Sequence, residues 1–264
     1  MLITLEGKTA LVTASTGGIG FTTAKILGES GATVIINGRS QESVNRALDK
    51  LHSELPNATF QGIPADLSRS EGCQALIDGA GEIDILVNNA GIYGALDFYD
   101  TSDEIWNQYW ETNVMSGVRL SRAFIPKMQE KGWGRVVFIS SESSRNIPAD
   151  MIHYGVSKTA QLSLSRGLAK RFAGTGITFN CVLPGPTISD GFAAMFEQQA
   201  AQTGQSMEDI AKDFIAENRP SSVLKRAASV EEVANMIVYV CSEQASATSG
   251  AALRVDGGVV DDIV

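Results

Sequence analysis

Short apolar runs at residues 8–13, 33–37, 59–63, 83–87, 135–139 and 177–183 recur along the chain, with helical patterning between them. No other feature limits the fold so tightly. Runs of about four to eight apolar residues without strict alternation suit strands buried on both faces. Strands that alternate with helices lie parallel and connect through right-handed crossovers. The pattern predicts an α/β fold, a doubly wound parallel sheet with helices on both faces. A last strand is expected at residues 251–255. No linker, repeat or charge block divides the 264 residues, so residues 1–264 are read as one domain. Between residues 189 and 222 the alternation gives way to two helical stretches, 192–201 and 207–217. An excursion of that length is expected to act as a lid over a ligand.

Charge excludes some functions. A net charge of −9 and a pI near 4.8 argue against nucleic-acid or membrane-surface binding, both of which need a basic footprint. A small molecule is the expected partner. Cys73, Cys181 and Cys241 are odd in number and lack metal spacing, so neither a disulfide framework nor a metal site is expected. The first residues lack a signal-peptide pattern and no apolar run reaches about 20 residues. The expectation is a soluble, cytoplasmic protein.

Ala14-Ser15-Thr16-Gly17-Gly18-Ile19-Gly20 follows the first run and opens a helix. Glycines there let backbone approach a pyrophosphate, and the helix start favours its charge. The end of the second run carries Gly38 and Arg39. An acid at that place would hold a ribose 2′-hydroxyl, whereas a small residue followed by arginine accommodates a 2′-phosphate. Arg39 is also readable as a solvated surface charge.

Tyr154 and Lys158 stand four residues apart on a helix expected over residues 151–173, on one face. An ammonium beside a phenol favours the phenolate and is expected to lower the tyrosine pKa. Such a pair also arises by chance, with the tyrosine packed and the lysine in water. Ser141 closes the fifth run, at the strand end that faces the ligand crevice in such sheets. Asn113 lies inside a continuous helix expected over residues 101–129, as a polar residue without a local task.

Taken together, the glycine-rich turn, Asn88-Asn89-Ala90-Gly91, Asn113, Ser141, Tyr154-x-x-x-Lys158 and Pro184-Gly185 resemble the short-chain dehydrogenase/reductase family, with similarity to its 3-oxoacyl-thioester reductase-like members. The match spans residues 6–258, and Ser141 keeps the family's thirteen-residue interval to Tyr154. The resemblance implies a Rossmann-type sheet of about seven parallel strands and an NAD(P)-dependent oxidoreductase. Hydride would pass between the nicotinamide and a carbonyl or secondary alcohol. It implies a catalytic set of Asn113, Ser141, Tyr154 and Lys158. Tyr154 would be general acid or base and Ser141 would bind the carbonyl oxygen. Lys158 would lower the tyrosine pKa and hold the nicotinamide ribose, and Asn113 would hold a water that links Lys158 to solvent.

Cofactor contacts implied by the same correspondence are Ser15, Thr16, Gly18, Ile19 and Gly20 in the turn, and Gly38 and Arg39 at the ribose. Asp66 and Leu67 would lie near adenine, and Asn88, Ala90 and Gly91 beside the nucleotide. Tyr154 and Lys158 would meet the nicotinamide ribose, with Pro184, Gly185, Thr187, Ile188 and Ser189 around the nicotinamide. Phe192, Met195 and Phe196 are candidate substrate contacts beside Ser141 and Tyr154, and are equally readable as packing within the excursion. Arg39 favours NADP(H), with NAD(H) possible. A homotetramer is the family's usual assembly. Ala14 departs from the family pattern, which has glycine there; with a negative φ the methyl is tolerated and the turn survives, with a positive φ or a phosphate contact there affinity should suffer, and survival is expected. The competing function is a dinucleotide sensor without catalysis, whose mark would be an eroded catalytic set.

Overall fold

The computed structural model describes residues 2–263 and all of their side chains but that of Gln198. Successive side chains on a strand point to opposite faces, and the apolar runs divide accordingly. From β1 (Thr9–Val12), Ala10 and Val12 enter one core while Leu11 enters the other. In β2 (Thr33–Gly38), Val34 and Ile36 part from Ile35 in the same way. The first core is covered by α1 (Gly18–Glu29), α2 (Gln41–Glu54) and α9 (Val230–Cys241). The second is covered by α3 (Ser70–Ala80), α5 (Ser116–Lys131) and α6 (Ile152–Arg171).

The remaining strands are β3 (Phe60–Pro64), β4 (Ile85–Asn88), β5 (Gly134–Ile139), β6 (Ile177–Pro184) and β9 (Ala252–Val255). All seven lie parallel in the order β3-β2-β1-β4-β5-β6-β9. This is the Rossmann-type doubly wound sheet. The order reverses between β1 and β4, so the two halves part there and open a crevice at the carboxyl ends of the strands. Register carries the ends to a common level: Val12 pairs with Ile36 and Val87, and Val87 with Val137. Thr13, Gly38, Asn89, Ser140 and Pro184 therefore gather along one rim.

The continuous helix expected over residues 101–129 is broken. It consists of α4 (Asp103–Tyr109), one π-helical segment over Trp110–Met115, and α5. A π turn takes one more residue than an α turn and rotates its side chains, a device that recurs at functional sites. Here it buries Asn113 to 1% exposure. The Asn113 Nδ2 donates to Ile92 O (3.0 Å) and Ser157 Oγ (2.9 Å), while its Oδ1 accepts from Ile92 N (2.8 Å). Those partners lie far away in sequence, which is why local patterning gave no sign of the interruption.

The excursion forms α7 (Asp190–Thr203) and α8 (Met207–Asn218), each started by a serine whose hydroxyl accepts a backbone N–H. The pair has a core of its own, in which Phe192, Ala211 and Ile215 meet Ile188, Phe196 and Phe214. Two short strands, β7 (Thr187–Ile188) and β8 (Ala228–Ser229), tie its ends together. Among the described residues no helix is long and apolar enough to cross a membrane.

Candidate active site

The glycine-rich turn is held by side chains from β4's exit. Thr13 Oγ1 accepts from Asn89 N and Ala90 N, both at 2.9 Å, and Asn89 Nδ2 donates to Thr13 O (2.9 Å) and Ala14 O (3.0 Å). Gly20 packs against this clamp so closely that a Cβ would sit 2.5 Å from Asn89 Nδ2 and 2.7 Å from Ala14 O. Ala14 adopts φ +48°, the left-handed region. Of the two conformations open to this residue the structure has the positive φ, so the backbone carries the strain that glycine would relieve. Ala14 N nonetheless donates to Asn37 Oδ1 at 3.1 Å, which helps hold the strained unit.

Gly18 N, at the positive end of α1, donates to Asp190 Oδ2 at 2.9 Å. A carboxylate oxygen of the chain itself thus sits where the turn offers its N–H to an anion. It crowds Gly17 as well, since a Cβ there would lie 2.7 Å from Asp190 Oδ2.

Other turn and rim residues divide by what their side chains already do. Ser15 is buried, donating to Val12 O (2.6 Å) and accepting from Asn37 N (3.0 Å). Thr16 lies over Gly38, where a Cβ would come 2.5 Å from the threonine methyl. Arg39 is exposed, and with Arg69 its charge helps lower the Asp66 pKa, after the larger effect of the Ser68 hydroxyl. Asp66 Oδ1 accepts from Ser68 N (3.1 Å) and Ser68 Oγ (2.8 Å). Leu67 belongs to the second core. Asn88 lies beneath β4 against Gly117, buried, its amide without a hydrogen-bond partner among the described residues. It is the adjacent Asn89 that lines the crevice. Ile188 packs inside the excursion.

The crevice deepens into a cavity of about 340 Å³. Ser141, Tyr154 and Lys158 stand on its wall together with Ile19 and Gly91. Pro184, Gly185, Thr187 and Ser189 bound it from the β6 side, and Phe192, Met195 and Phe196 close it from the excursion. The apolar trio does both things considered for it. Phe192 and Phe196 pack at a tilt (4.8 Å between centroids) and both meet Phe214 edge-on, and the same rings line the cavity, while Met195 remains 57% exposed.

Lys158 Nζ donates to Ile139 O at 2.8 Å and lies 5.7 Å from the centroid of the Tyr154 ring. Burial holds its pKa down to about 8. Burial pushes the Tyr154 phenol above its ordinary range; the Ser141 hydroxyl opposes this, and the Glu142 charge adds to it. The expected lowering of the tyrosine pKa by Lys158 is corrected, because the ammonium is engaged by a carbonyl and loss of solvent dominates. Asn113 reaches this group from below: a Cβ on Gly91 would lie 3.1 Å from Lys158 Nζ and 3.4 Å from Asn113 Oδ1. All four candidate catalytic residues therefore lie within one small region.

One wall residue gave no signal in the sequence. Glu142 is 3% exposed, its Oε1 accepting from Arg219 Nε at the end of the excursion (2.8 Å) and from Ser143 Oγ (3.2 Å). Burial raises its carboxyl pKa, against the Arg219 guanidinium. Glutamates in loops are ordinarily solvated, so an acid in Ser-Ser-Glu-Ser-Ser looked unremarkable.

Residues 13–260 match a family model described as enoyl-(acyl carrier protein) reductase. Two relatives from Bacillus subtilis (strain 168), the uncharacterized oxidoreductases YvrD and YvaG, are 46% and 43% identical to the chain. The first alignment covers 98% of this chain and 99% of the relative, the second all of both. The L-sorbose reductase of Gluconobacter frateurii, in complex with NADPH and L-sorbose, superposes with a TM-score of 0.92 at 30% identity over the whole of both chains.

Proposed function

Because the chain belongs to the short-chain dehydrogenase/reductase family of NAD(P)-dependent oxidoreductases, we propose that it reduces a ketone or aldehyde with NADP(H), or runs the reverse oxidation, through Ser141, Tyr154, Lys158 and Asn113. The carrying observation is the convergence of Ser141, Tyr154 and Lys158 on one cavity that continues into the glycine-rich crevice. The residues fit a nicotinamide dinucleotide. Gly20 and Gly38 let the turn and the end of β2 pack closely against Asn89, Ala14 and Thr16, and Gly18 N, at the start of α1, already holds a carboxylate oxygen.

When bound, the nicotinamide supplies hydride. Ser141 donates a hydrogen bond to the carbonyl oxygen and stabilises the negative charge that develops there. Tyr154 gives its phenolic proton to that oxygen. A phenol held protonated at neutral pH suits this reductive direction. Lys158 would hold the ribose hydroxyls of the bound nucleotide, and Asn113 would hold a water through which the proton is replaced. Arg39, exposed beside Gly38, would pair with a 2′-phosphate, and the NADPH complex of the G. frateurii relative supports that choice. Residues 1–264 form one unit, with residues 189–222 as its lid. The chain assembles as a homotetramer through the helices bearing Asn113 and Tyr154 and the last strand; the exposure of Trp110 (44%) and Val156 (40%) on those helices supports this. We place it in the cytoplasm.

A screen of carbonyls and alcohols with both nicotinamide cofactors tests the proposal, with Tyr154→Phe alongside. The variant is expected to bind NADPH as the wild type does and to lose about 100-fold or more in kcat/KM. Equal activity of the two proteins, or no nucleotide binding by the wild type, refutes it.

A further inference from the structure

Phe192, Met195 and Phe196 on α7, Phe214 on α8, Met151 before α6 and Tyr93 beyond β4 give one end of the cavity an apolar wall. Tyr93 closes its side. The ring meets that of Tyr154 edge-on (6.3 Å between centroids), and the hydroxyl packs on Gly191 in the first turn of α7, where a Cβ would collide with it. The polar side chains of the wall are, by contrast, already engaged within the protein. Ser140 Oγ donates to Lys158 O (2.9 Å), Ser143 Oγ to Glu142 Oε1 (3.2 Å), Thr187 Oγ1 to Gly185 O (2.9 Å) and Asn218 Nδ2 to Phe214 O (3.0 Å). Glu142 and Arg219 are paired with each other, and Lys158 Nζ meets Ile139 O. Asp150 is exposed, where water meets its charge. Ser141 and Tyr154 remain to face a ligand, and in the reductase scheme both hydroxyls turn to one oxygen.

Resting on the reductase reading, we propose that the substrate is a neutral ketone or aldehyde with a short hydrocarbon body. The carbonyl oxygen is the one polar atom the cavity takes up, and the body lies between Tyr93 and α7. An anionic substrate finds the cations of the wall occupied, and a charge buried without a partner is costly. A sugar-like chain exchanges water for aromatic rings at each of its hydroxyls, which is costly as well. Hydrocarbon instead gains with every methylene it buries. Met195, exposed in the ligand-free chain, is apolar surface that such a body removes from water. At about 340 Å³ the cavity is at the small end of ligand clefts and part of it fronts the nicotinamide seat, which keeps the body short.

The test measures kcat/KM with NADPH for the straight-chain methyl ketones from 2-butanone to 2-heptanone. It then compares 2-hexanone with 6-hydroxyhexan-2-one and 5-oxohexanoate, which carry a hydroxyl or a carboxylate at the far end of the same chain. Wild-type protein is expected to gain about fourfold for each added methylene until the cavity is filled. The hydroxylated analogue should fall about threefold or more below 2-hexanone, and the carboxylate about 30-fold or more. Met195→Gln puts a polar side chain of similar length and helix propensity at an exposed position, so the fold is not at risk. It is expected to lower the ratio of 2-heptanone to 2-butanone by about fivefold, whereas a residue that merely packs the lid would change both ketones alike. An efficiency that stays flat or falls with chain length overturns the proposal, as does preference for either polar analogue. An unchanged ratio in Met195→Gln overturns the placement of the body along α7. Turnover of a ketohexose but of none of these ketones overturns the proposal and keeps the reductase reading. Turnover of no carbonyl by nucleotide-bound wild type would instead overturn the reductase reading itself.

Discussion

Asp190 offers a direct test of how the lid and the nucleotide seat interact. Its Oδ2 accepts from Gly18 N at 2.9 Å, at the first turn of α1. A pyrophosphate that takes this N–H must displace the carboxylate or share the seat with it. An exposed anion at a helix start is worth about 0.3–1 kcal/mol at low salt. Two charges held about 4 Å apart in water repel by about 1 kcal/mol. Whichever happens, removing the carboxylate with Asp190→Ala frees up to about 1 kcal/mol at low ionic strength, or about fivefold in NADPH affinity. At about 0.5 M salt that contribution is screened and the gain should shrink to less than about twofold. The Ser189 cap of α7 is untouched, because that hydroxyl accepts from Phe192 N independently of residue 190. Titration of NADPH fluorescence at two salt concentrations, with wild type and variant side by side, gives the measurement. Equal or weaker binding by the variant at low salt refutes the reasoning, as it would mean that Asp190 accommodates or assists the nucleotide.

Two further outcomes follow from backbone strain and buried thiols. Ala14→Gly should stabilise the protein by about 0.5–1 kcal/mol, because relief of φ +48° exceeds the added freedom of glycine in the unfolded chain. Urea unfolding checks this, and a loss of stability would show that the strain is negligible. Burial pushes Cys181 and Cys241 up to about 12, against an unfolded value of about 8.5. Both are acids with raised folded pKa values, so their stability contribution is whole below about pH 8.5 and falls as pH rises towards 12. The slope is about 1.4 kcal/mol per pH unit for each thiol. Lys158, held down to about 8, opposes one of them between pH 8 and about 10.4. Unfolding midpoints at pH 7.5 to 10 should therefore decline for wild type and flatten for Cys241→Ala; identical slopes would refute the assignment.

Much of the site was legible because its chemistry follows spacing along the chain. Ser141 and Tyr154 carry the family's interval, and Tyr154 and Lys158 share one helix face by helical geometry alone. The Asn88-to-Gly91 stretch flagged the nucleotide rim, yet which asparagine clamps the turn depends on strand alternation at the end of β4. Alternation buries the Asn88 side chain and frees Asn89 to reach Thr13 and Ala14. Glu142 and Asp190 escaped notice because a carboxylate in a loop or at a helix start is ordinarily met by water, and only the chain's return from distant residues gives each a different neighbour.

By itself the sequence determined the architecture, since unbroken apolar runs alternating with helices can bury both faces only as a parallel sheet with helices on each side. Tertiary structure decided whatever depends on burial and on contacts across the fold. It interrupted the long helix with a π turn so that Asn113 could satisfy the Ile92 backbone and Ser157. It forced Ala14 into a left-handed conformation between Asn37 and Asn89. It also set the charge states around the proton donor. The Tyr154–Lys158 spacing announced a lowered phenol pKa, but desolvation acts on a group according to what surrounds it in space, and around Tyr154 it outweighs a charge engaged by the Ile139 carbonyl.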